Sequence, residues 1–268
     1  MHTKPMNRTA LITGASSGIG YELARVFVER GYDVVLVARR VERLEQIKLE
    51  LLELRSEAKV WCVPVDLSKP RGAKKVLSAT EELGIQVDTL VNNAGAAWQG
   101  EFADMSRGDL LNIVALNVRT LTELTYLYLP GMRHRRNGRI LNVASVVGFQ
   151  AIPTMAVYAA SKAYVLSLTE SLSEELRACG ITVTALCPGL TRTEMVSDLG
   201  VDEFAGTSLI MDDPRSVALS GYRALHRREV LEVPGLFNKM AINWAEYQPR
   251  WLKRSMAGIA SRSLRKSA

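Results

Sequence analysis

The chain has 268 residues, 47% of them hydrophobic and 23% charged, a balance ordinary for a soluble protein with a sizeable core. Its net charge of +6 belongs to one end: Lys239 to Ala268 holds seven basic residues against one acid, so residues 1–238 sum to zero. The basic balance therefore describes a tail and excludes a nucleic-acid-binding domain.

In chain order, apolar runs rich in β-branched residues alternate with helical patterns. Strands are expected at Ala10–Thr13, Asp33–Ala38, Val60–Val65, Thr89–Asn92, Arg139–Ala144 and Thr182–Cys187. Helices are expected at Gly18–Arg30, Val41–Ser56, Lys69–Leu83, Ser106–Pro130 and Val157–Ala178, with Gly31 and Gly180 as left-handed caps. This rhythm predicts an α/β chain, a single doubly wound domain with a mainly parallel sheet and helices on both faces. After Pro188-Gly189 the pattern loosens into a polar stretch, about 191–214, of the kind that forms a lid over a site. A basic amphipathic tail follows at about 235–268, with Pro249 ending or kinking any helix there.

Ile140 to Ser161 runs for 22 residues without a charge, the length of a membrane span. Asn142, Ser145, Gln150, Pro153 and Tyr158 interrupt it, so a buried strand, a loop and a helix start are expected instead. Met1–Arg8 has no apolar stretch of the kind a signal peptide needs. Cys62, Cys179 and Cys187 are odd in number, far apart and without metal-ligand spacing. Small buried thiols in a reducing compartment follow, so the expected location is the cytoplasm and no metal is expected.

Three groups of residues carry chemistry. Thr13-Gly14-Ala-Ser16-Ser17-Gly18-Ile19-Gly20 follows an expected strand and opens an expected helix. Such a turn lets the backbone approach a phosphate with a helix N-terminus facing the anion. The second expected strand ends Ala38-Arg39-Arg40, without the acid that binds a ribose diol in NAD sites. A guanidinium at Arg39 suits a 2′-phosphate, with Ser16 and Ser17 adding hydroxyl donors, and points to NADP(H). Equally, Arg39 and Arg40 begin the next solvated helix. Finally, Lys162 stands one helical turn beyond Tyr158, with Ser145 thirteen positions before the tyrosine. A lysine on the same helical face supplies the positive charge that makes a phenol a usable acid.

The chain resembles the short-chain dehydrogenase/reductase family over about residues 8–195. The likeness rests on the Thr13–Gly20 turn, Asp66, Asn92-Asn93-Ala94-Gly95, Asn117, Ser145, Tyr158, Lys162 and Pro188-Gly189. It implies a Rossmann fold and hydride transfer between nicotinamide and a carbonyl or secondary alcohol, with NADP(H) as cofactor. On that resemblance Tyr158 is the general acid and Lys162 stabilises its phenolate. Ser145 hydrogen-bonds the substrate oxygen, and Asn117 holds a water that links Lys162 to solvent. Asp66, with Leu67 beside it, contacts the adenine, and Asn92 to Gly95, with Asn92, Ala94 and Gly95 as cofactor contacts, line its pocket and steady the central sheet. Pro188, Gly189 and Thr193 hold the nicotinamide end. Asp66 has a plainer alternative as the N-cap of the next helix.

Trp98, Gln99, Phe149, Met155, Met195, Leu199 and Phe204 stand near these motifs, which suits a small-molecule partner, a hydrophobic ketone or aldehyde. A homodimer or homotetramer through residues 106–130 and 157–178 is implied by the family. The tail has three readings: packing over the site or an interface, contact with an anionic membrane surface, or a solvated basic end. A non-catalytic cofactor sensor is the rival to the enzyme, opposed by the intact Ser145, Tyr158 and Lys162.

Overall fold

The computed structural model describes residues 8–199, 211–235, 238–240 and 242. Seven strands form one sheet: β1 (Thr9–Thr13), β2 (Asp33–Ala38), β3 (Val60–Pro64), β4 (Thr89–Asn92), β5 (Gly138–Val143), β6 (Ile181–Leu186) and β7 (Leu231–Glu232). Their spatial order is β3-β2-β1-β4-β5-β6-β7 and every pairing is parallel. The order reverses between β1 and β4, where their carboxyl ends open a crevice.

Between the strands lie α1 (Gly18–Glu29), α2 (Val41–Leu54), α3 (Gly72–Glu82), α4 (Arg107–Val114), α5 (Leu121–Arg135), α6 (Ala156–Leu176), α7 (Glu194–Asp198) and α8 (Pro214–Arg227). Side-chain alternation divides the core into two layers. Ile12, Val34 and Leu36 face Phe27 of α1, Leu44 and Ile47 of α2, and Val217 and Leu225 of α8. Leu11, Val35 and Leu90 face Val76 of α3, Leu124 and Met132 of α5, and Leu176 of α6. Both faces are thus dry, which is why β1, β2 and β4 read as unbroken apolar runs.

The expected strands and helices all form, with ends shifted by a few residues, and Gly31 and Gly180 take the left-handed conformation at φ 88° and 72°. Three differences have physical reasons. The helix expected to stop at Pro130 continues to Arg135, because Pro130 is exposed while Met132 is fully buried and holds the last turn. Between α4 and α5 the backbone widens into a π-helical turn, Ala115–Thr120, a local distortion that sequence periodicity does not reveal. Finally, α7, α8 and β7 lie where no elements were assigned. Asp213 caps α8 by accepting from Ser216 N at 3.0 Å, with Pro214 in the first turn. Phe27 packs edge-on against both Tyr32 and Tyr222, which docks α8 on α1.

The uncharged stretch 140–161 resolves into β5, a short helical turn at Val146–Phe149 and the start of α6. Among the described residues no helix is long and apolar enough to cross a membrane. Of the cysteines only Cys187 is fully buried; Cys62 and Cys179 are half-buried. Burial pushes the Cys62 and Cys187 thiols up to about 12, so both are inert. Phe204, residues 200–210 of the lid and nearly all of the basic tail lie outside the described residues.

Candidate active site

At the carboxyl ends of β1, β2, β4, β5 and β6 lies one cavity of about 760 Å³. The glycine turn forms its floor. Gly14 is left-handed at φ 65°, and a Cβ on Gly20 would stand 2.3 Å from the Gly14 carbonyl oxygen. Only paired glycines allow the chain to double back this closely. Asn93 locks the turn by donating from Nδ2 to the Thr13 and Gly14 carbonyls at 2.9 and 3.2 Å. Thr13 Oγ1 in turn accepts from the Asn93 and Ala94 amides.

Gly14, Ser16, Ser17, Gly18, Ile19, Arg39, Asp66, Leu67, Ala94, Gly95, Ser145, Tyr158, Lys162, Pro188, Gly189 and Thr193 all line this cavity, as expected from sequence. Gly20 serves the turn without lining it. Asn92 is corrected only in part: it does not line the cavity, but at 3% exposed it lies inside the sheet and steadies it, as also expected. Its Nδ2 donates to Asn142 Oδ1 at 2.9 Å and to Thr125 Oγ1 at 3.1 Å, tying β4 to β5 and α5. An asparagine at the strand's last position has its side chain turned inward by the pleat, and its neighbour Asn93 faces the cavity instead.

Asp66 does not cap α3, which starts at Gly72. Its carboxylate accepts from the amide and hydroxyl of Ser68 at 3.0 and 2.7 Å. Burial works to raise its pKa, but these bonds and the nearby Arg39 and Lys69 charges outweigh it and leave the carboxyl below its ordinary range.

The reacting end is built by β5, the turn after it and α6. A Cβ on Gly148 would meet the Lys162 backbone carbonyl carbon at 2.9 Å, so only glycine lets this turn lie flat on α6. That contact brings Ser145 close enough to Tyr158 to lower the phenol's pKa. Ser145 Oγ also donates weakly to Pro188 O at 3.4 Å and accepts from Val147 N at 3.3 Å. Lys162 is 5% exposed; its Nζ donates to Val143 O at 2.8 Å and stands 5.6 Å from the centre of the Tyr158 ring.

Burial pushes the Tyr158 phenol up, only partly offset by Ser145. Burial also brings Lys162 down from 10.5 to about 8. The lysine's hydrogen bond goes to the Val143 backbone carbonyl.

Asn117 occupies the π-helical turn. Oδ1 accepts from Ala96 N at 2.9 Å, and Nδ2 donates to Ala96 O and Ser161 Oγ, each at 2.9 Å. The bonds to Ala96 and Ser161 fix the segment after Gly95 against α6.

Trp98, Gln99, Met195 and Leu199 line the main cavity, and Trp98 and Met155 also line a small side pocket of about 50 Å³ next to Tyr158. Phe149 packs against Leu121, Val165 and Leu166 in a core cluster. Two further residues join the site, Glu194 through Arg40 and Asn238 through Gly189. Arg40 Nη2 donates to Ser16 Oγ at 3.1 Å and pairs with Glu194 Oε2 at 3.0 Å. Asn238 lies against Gly189 and donates to Asp212 Oδ2 at 3.1 Å and Pro234 O at 3.0 Å. Neither Glu194 nor Asn238 has a local signal, because each acts on partners distant in sequence.

A parallel sheet wound in this order, a glycine turn at its switch point and a Ser–Tyr–Lys cluster facing it together define a nicotinamide-dependent oxidoreductase site. The short chain dehydrogenase family model matches residues 8–203, and the chain belongs to that family. It is 34% identical over 251 residues to oxidoreductase UcpA of Salmonella typhimurium, covering 91% of each chain. Among solved structures it resembles a short-chain dehydrogenase from Sphingobium yanoikuyae in complex with NADPH, with TM-score 0.81, 33% identity and 95% of each chain covered. A short chain dehydrogenase/reductase from Burkholderia phymatum in complex with NAD has TM-score 0.77 and 25% identity over 88% of this chain and 92% of that one.

Proposed function

We propose that this oxidoreductase uses NADP(H) to interconvert a hydrophobic ketone or aldehyde and its alcohol. The observation that carries the reading is the meeting of Ser145, Tyr158 and Lys162 in the same cavity as the glycine turn. The cavity fits a dinucleotide: its floor is a cradle that a Cβ at Gly20 would fill, and its far end carries Arg39, Arg40, Ser16 and Ser17. Gly14 to Ile19 would hold the diphosphate, Asp66 and Leu67 the adenine, and Pro188, Gly189 and Thr193 the nicotinamide. Relatives carry either NADPH or NAD, so the cofactor preference rests on this chain's own residues. Arg39 and Arg40, with no acid at the end of β2, favour a 2′-phosphate.

When bound, the nicotinamide supplies or accepts the hydride. The chain's residues manage the oxygen and the proton. Tyr158 donates its proton to the carbonyl oxygen as negative charge builds there. Ser145, beside that tyrosine in the cavity, donates to the same oxygen and orients the substrate. Lys162, held by Val143 O and close to half-protonated near pH 8, refills Tyr158 after each turnover. Trp98, Met155, Met195 and Leu199 present apolar surface to the substrate.

A homodimer or homotetramer in the cytoplasm is the proposed setting. Leu111 and Val114 on α4, Tyr126 on α5 and Tyr164 on α6 are exposed apolar residues on the helices expected at the interface. The test is cofactor oxidation across a panel of ketones and aldehydes, with NADPH and NADH in parallel and Tyr158→Phe as control. Turnover with NADPH that falls by about 10²-fold or more in the variant is expected. Tight NADPH binding without turnover on any carbonyl would overturn the enzymatic reading in favour of a cofactor sensor.

A further inference from the structure

We infer that Glu194 sets the cofactor preference by competing with the adenosine 2′-phosphate for Arg40. This rests on the NADP(H) reading above and deepens it. The end of β2 offers an anion the Arg40 guanidinium, anchored to Ser16, and the Ser17 hydroxyl. In this structure a carboxylate takes the guanidinium. Arg40 Nη2 lies 3.0 Å from Glu194 Oε2 and Arg40 Nη1 3.5 Å from Oε1, and Ser17 helps to lower the Glu194 pKa. The Arg40 bond, first among several donors and cations, holds the Glu194 carboxyl below its ordinary range, so it is charged at any physiological pH.

Glu194 opens α7, the start of the lid, and reaches across 154 residues of sequence to meet Arg40. Thr193 just before it already lies against the glycine turn, its Cγ2 3.0 Å from where a Cβ on Gly18 would stand. The carboxylate therefore sits over the cofactor cleft on the side where the 2′-phosphate would bind. A dianionic phosphate and a carboxylate repel each other, and one guanidinium cannot give its fork to both. A 2′-phosphate must displace Glu194 to reach Arg40, whereas a 2′-hydroxyl leaves the pair intact. Two consequences follow. Glu194 lowers the affinity for NADP(H) relative to NAD(H), and displacement frees α7 from its tie to the β2 end only when the phosphate is present.

Calorimetric titration with 2′,5′-ADP and with 5′-AMP tests this on wild type, Glu194→Gln, Arg40→Ala and the double variant. Glu194 and Arg40 side chains are 59% and 50% exposed, so these substitutions leave the fold intact. Glu194→Gln is expected to bind 2′,5′-ADP about two- to fivefold tighter, the range an exposed ion pair supplies, with 5′-AMP unchanged. In the Arg40→Ala background the gain is expected to shrink, because only the direct repulsion between carboxylate and phosphate is left to relieve. If wild type prefers 2′,5′-ADP and Glu194→Gln leaves that preference unchanged or lowers it, the competition is overturned while the cofactor reading stands. If wild type binds both equally, a preference that emerges in Glu194→Gln upholds the competition, and its failure to emerge overturns both.

Discussion

Lys162 offers the sharpest quantitative test, because its function conflicts with its burial. The ammonium is 5% exposed and its one hydrogen bond is to Val143 O. Burial brings its pKa from 10.5 down to about 8, so the charged form carries a penalty of about 3 kcal/mol in the folded chain. Replacing it by methionine, similar in length and uncharged, removes that penalty. Loss of the bond to Val143 O takes back about 1 kcal/mol, leaving a net gain of about 2 kcal/mol at pH 7. The penalty is full below the folded pKa of about 8. It fades as pH rises toward 10.5, because over that window the unfolded chain keeps the proton that the folded chain has released. The gain of Lys162→Met over wild type is therefore expected to shrink by about 1.4 kcal/mol per pH unit above pH 8. Urea unfolding of both proteins at pH 7, 8.5 and 9.5, without cofactor, measures this. A variant less stable than wild type at pH 7, or a difference that does not move with pH, would refute the reasoning that desolvation dominates Lys162. Turnover is expected to be lost in the same variant, so stability and activity change in opposite directions.

Two further predictions concern the catalytic hydroxyl and the frame. Ser145→Ala is expected to lower kcat by about 10²-fold. Because Ser145 lowers the Tyr158 pKa, its loss should also move the alkaline limb of the kcat/KM profile upward; an unmoved limb counts against that influence. At the far end of β2, Asp33 accepts from Arg55 at 3.0 Å and from Lys59 N at 2.9 Å with its side chain 7% exposed. Asp33→Ala is expected to cost about 3 kcal/mol in urea unfolding, and adding Arg55→Met to recover part of it, because it removes a buried cation left only with Glu57 at 3.5 Å and the Val28 carbonyl at 3.3 Å. No recovery in the double variant would assign the loss to Lys59 instead.

What the sequence determined by itself is what short-range rules govern. Strand and helix alternation, the glycine turn and the four-residue step from Tyr158 to Lys162 depend on backbone geometry within a few residues. They located β1 to β6, α1 to α3, the α4–α5 stretch, α6 and most of the cavity lining. The Asp213-Pro214 start of α8 was equally local, though it lay beside an irregular stretch that concealed it.

Tertiary structure alone decided the rest. Asn92 and Asn93 are adjacent and chemically identical, yet the pleat sends one into the sheet and the other to the glycine turn. Asn117 spends its amide on Ala96 and Ser161 because a π-helical turn aims it there. Arg40 meets Glu194, and Gly189 meets Asn238, across long stretches of chain. The Lys162 amine is identical in any sequence window, but its pKa depends on how completely β5, the turn after it and α6 exclude water. Local motifs name the groups that do chemistry; burial and long-range pairing set their charge and direction, because desolvation and Coulomb energy depend on three-dimensional surroundings that no stretch of sequence contains.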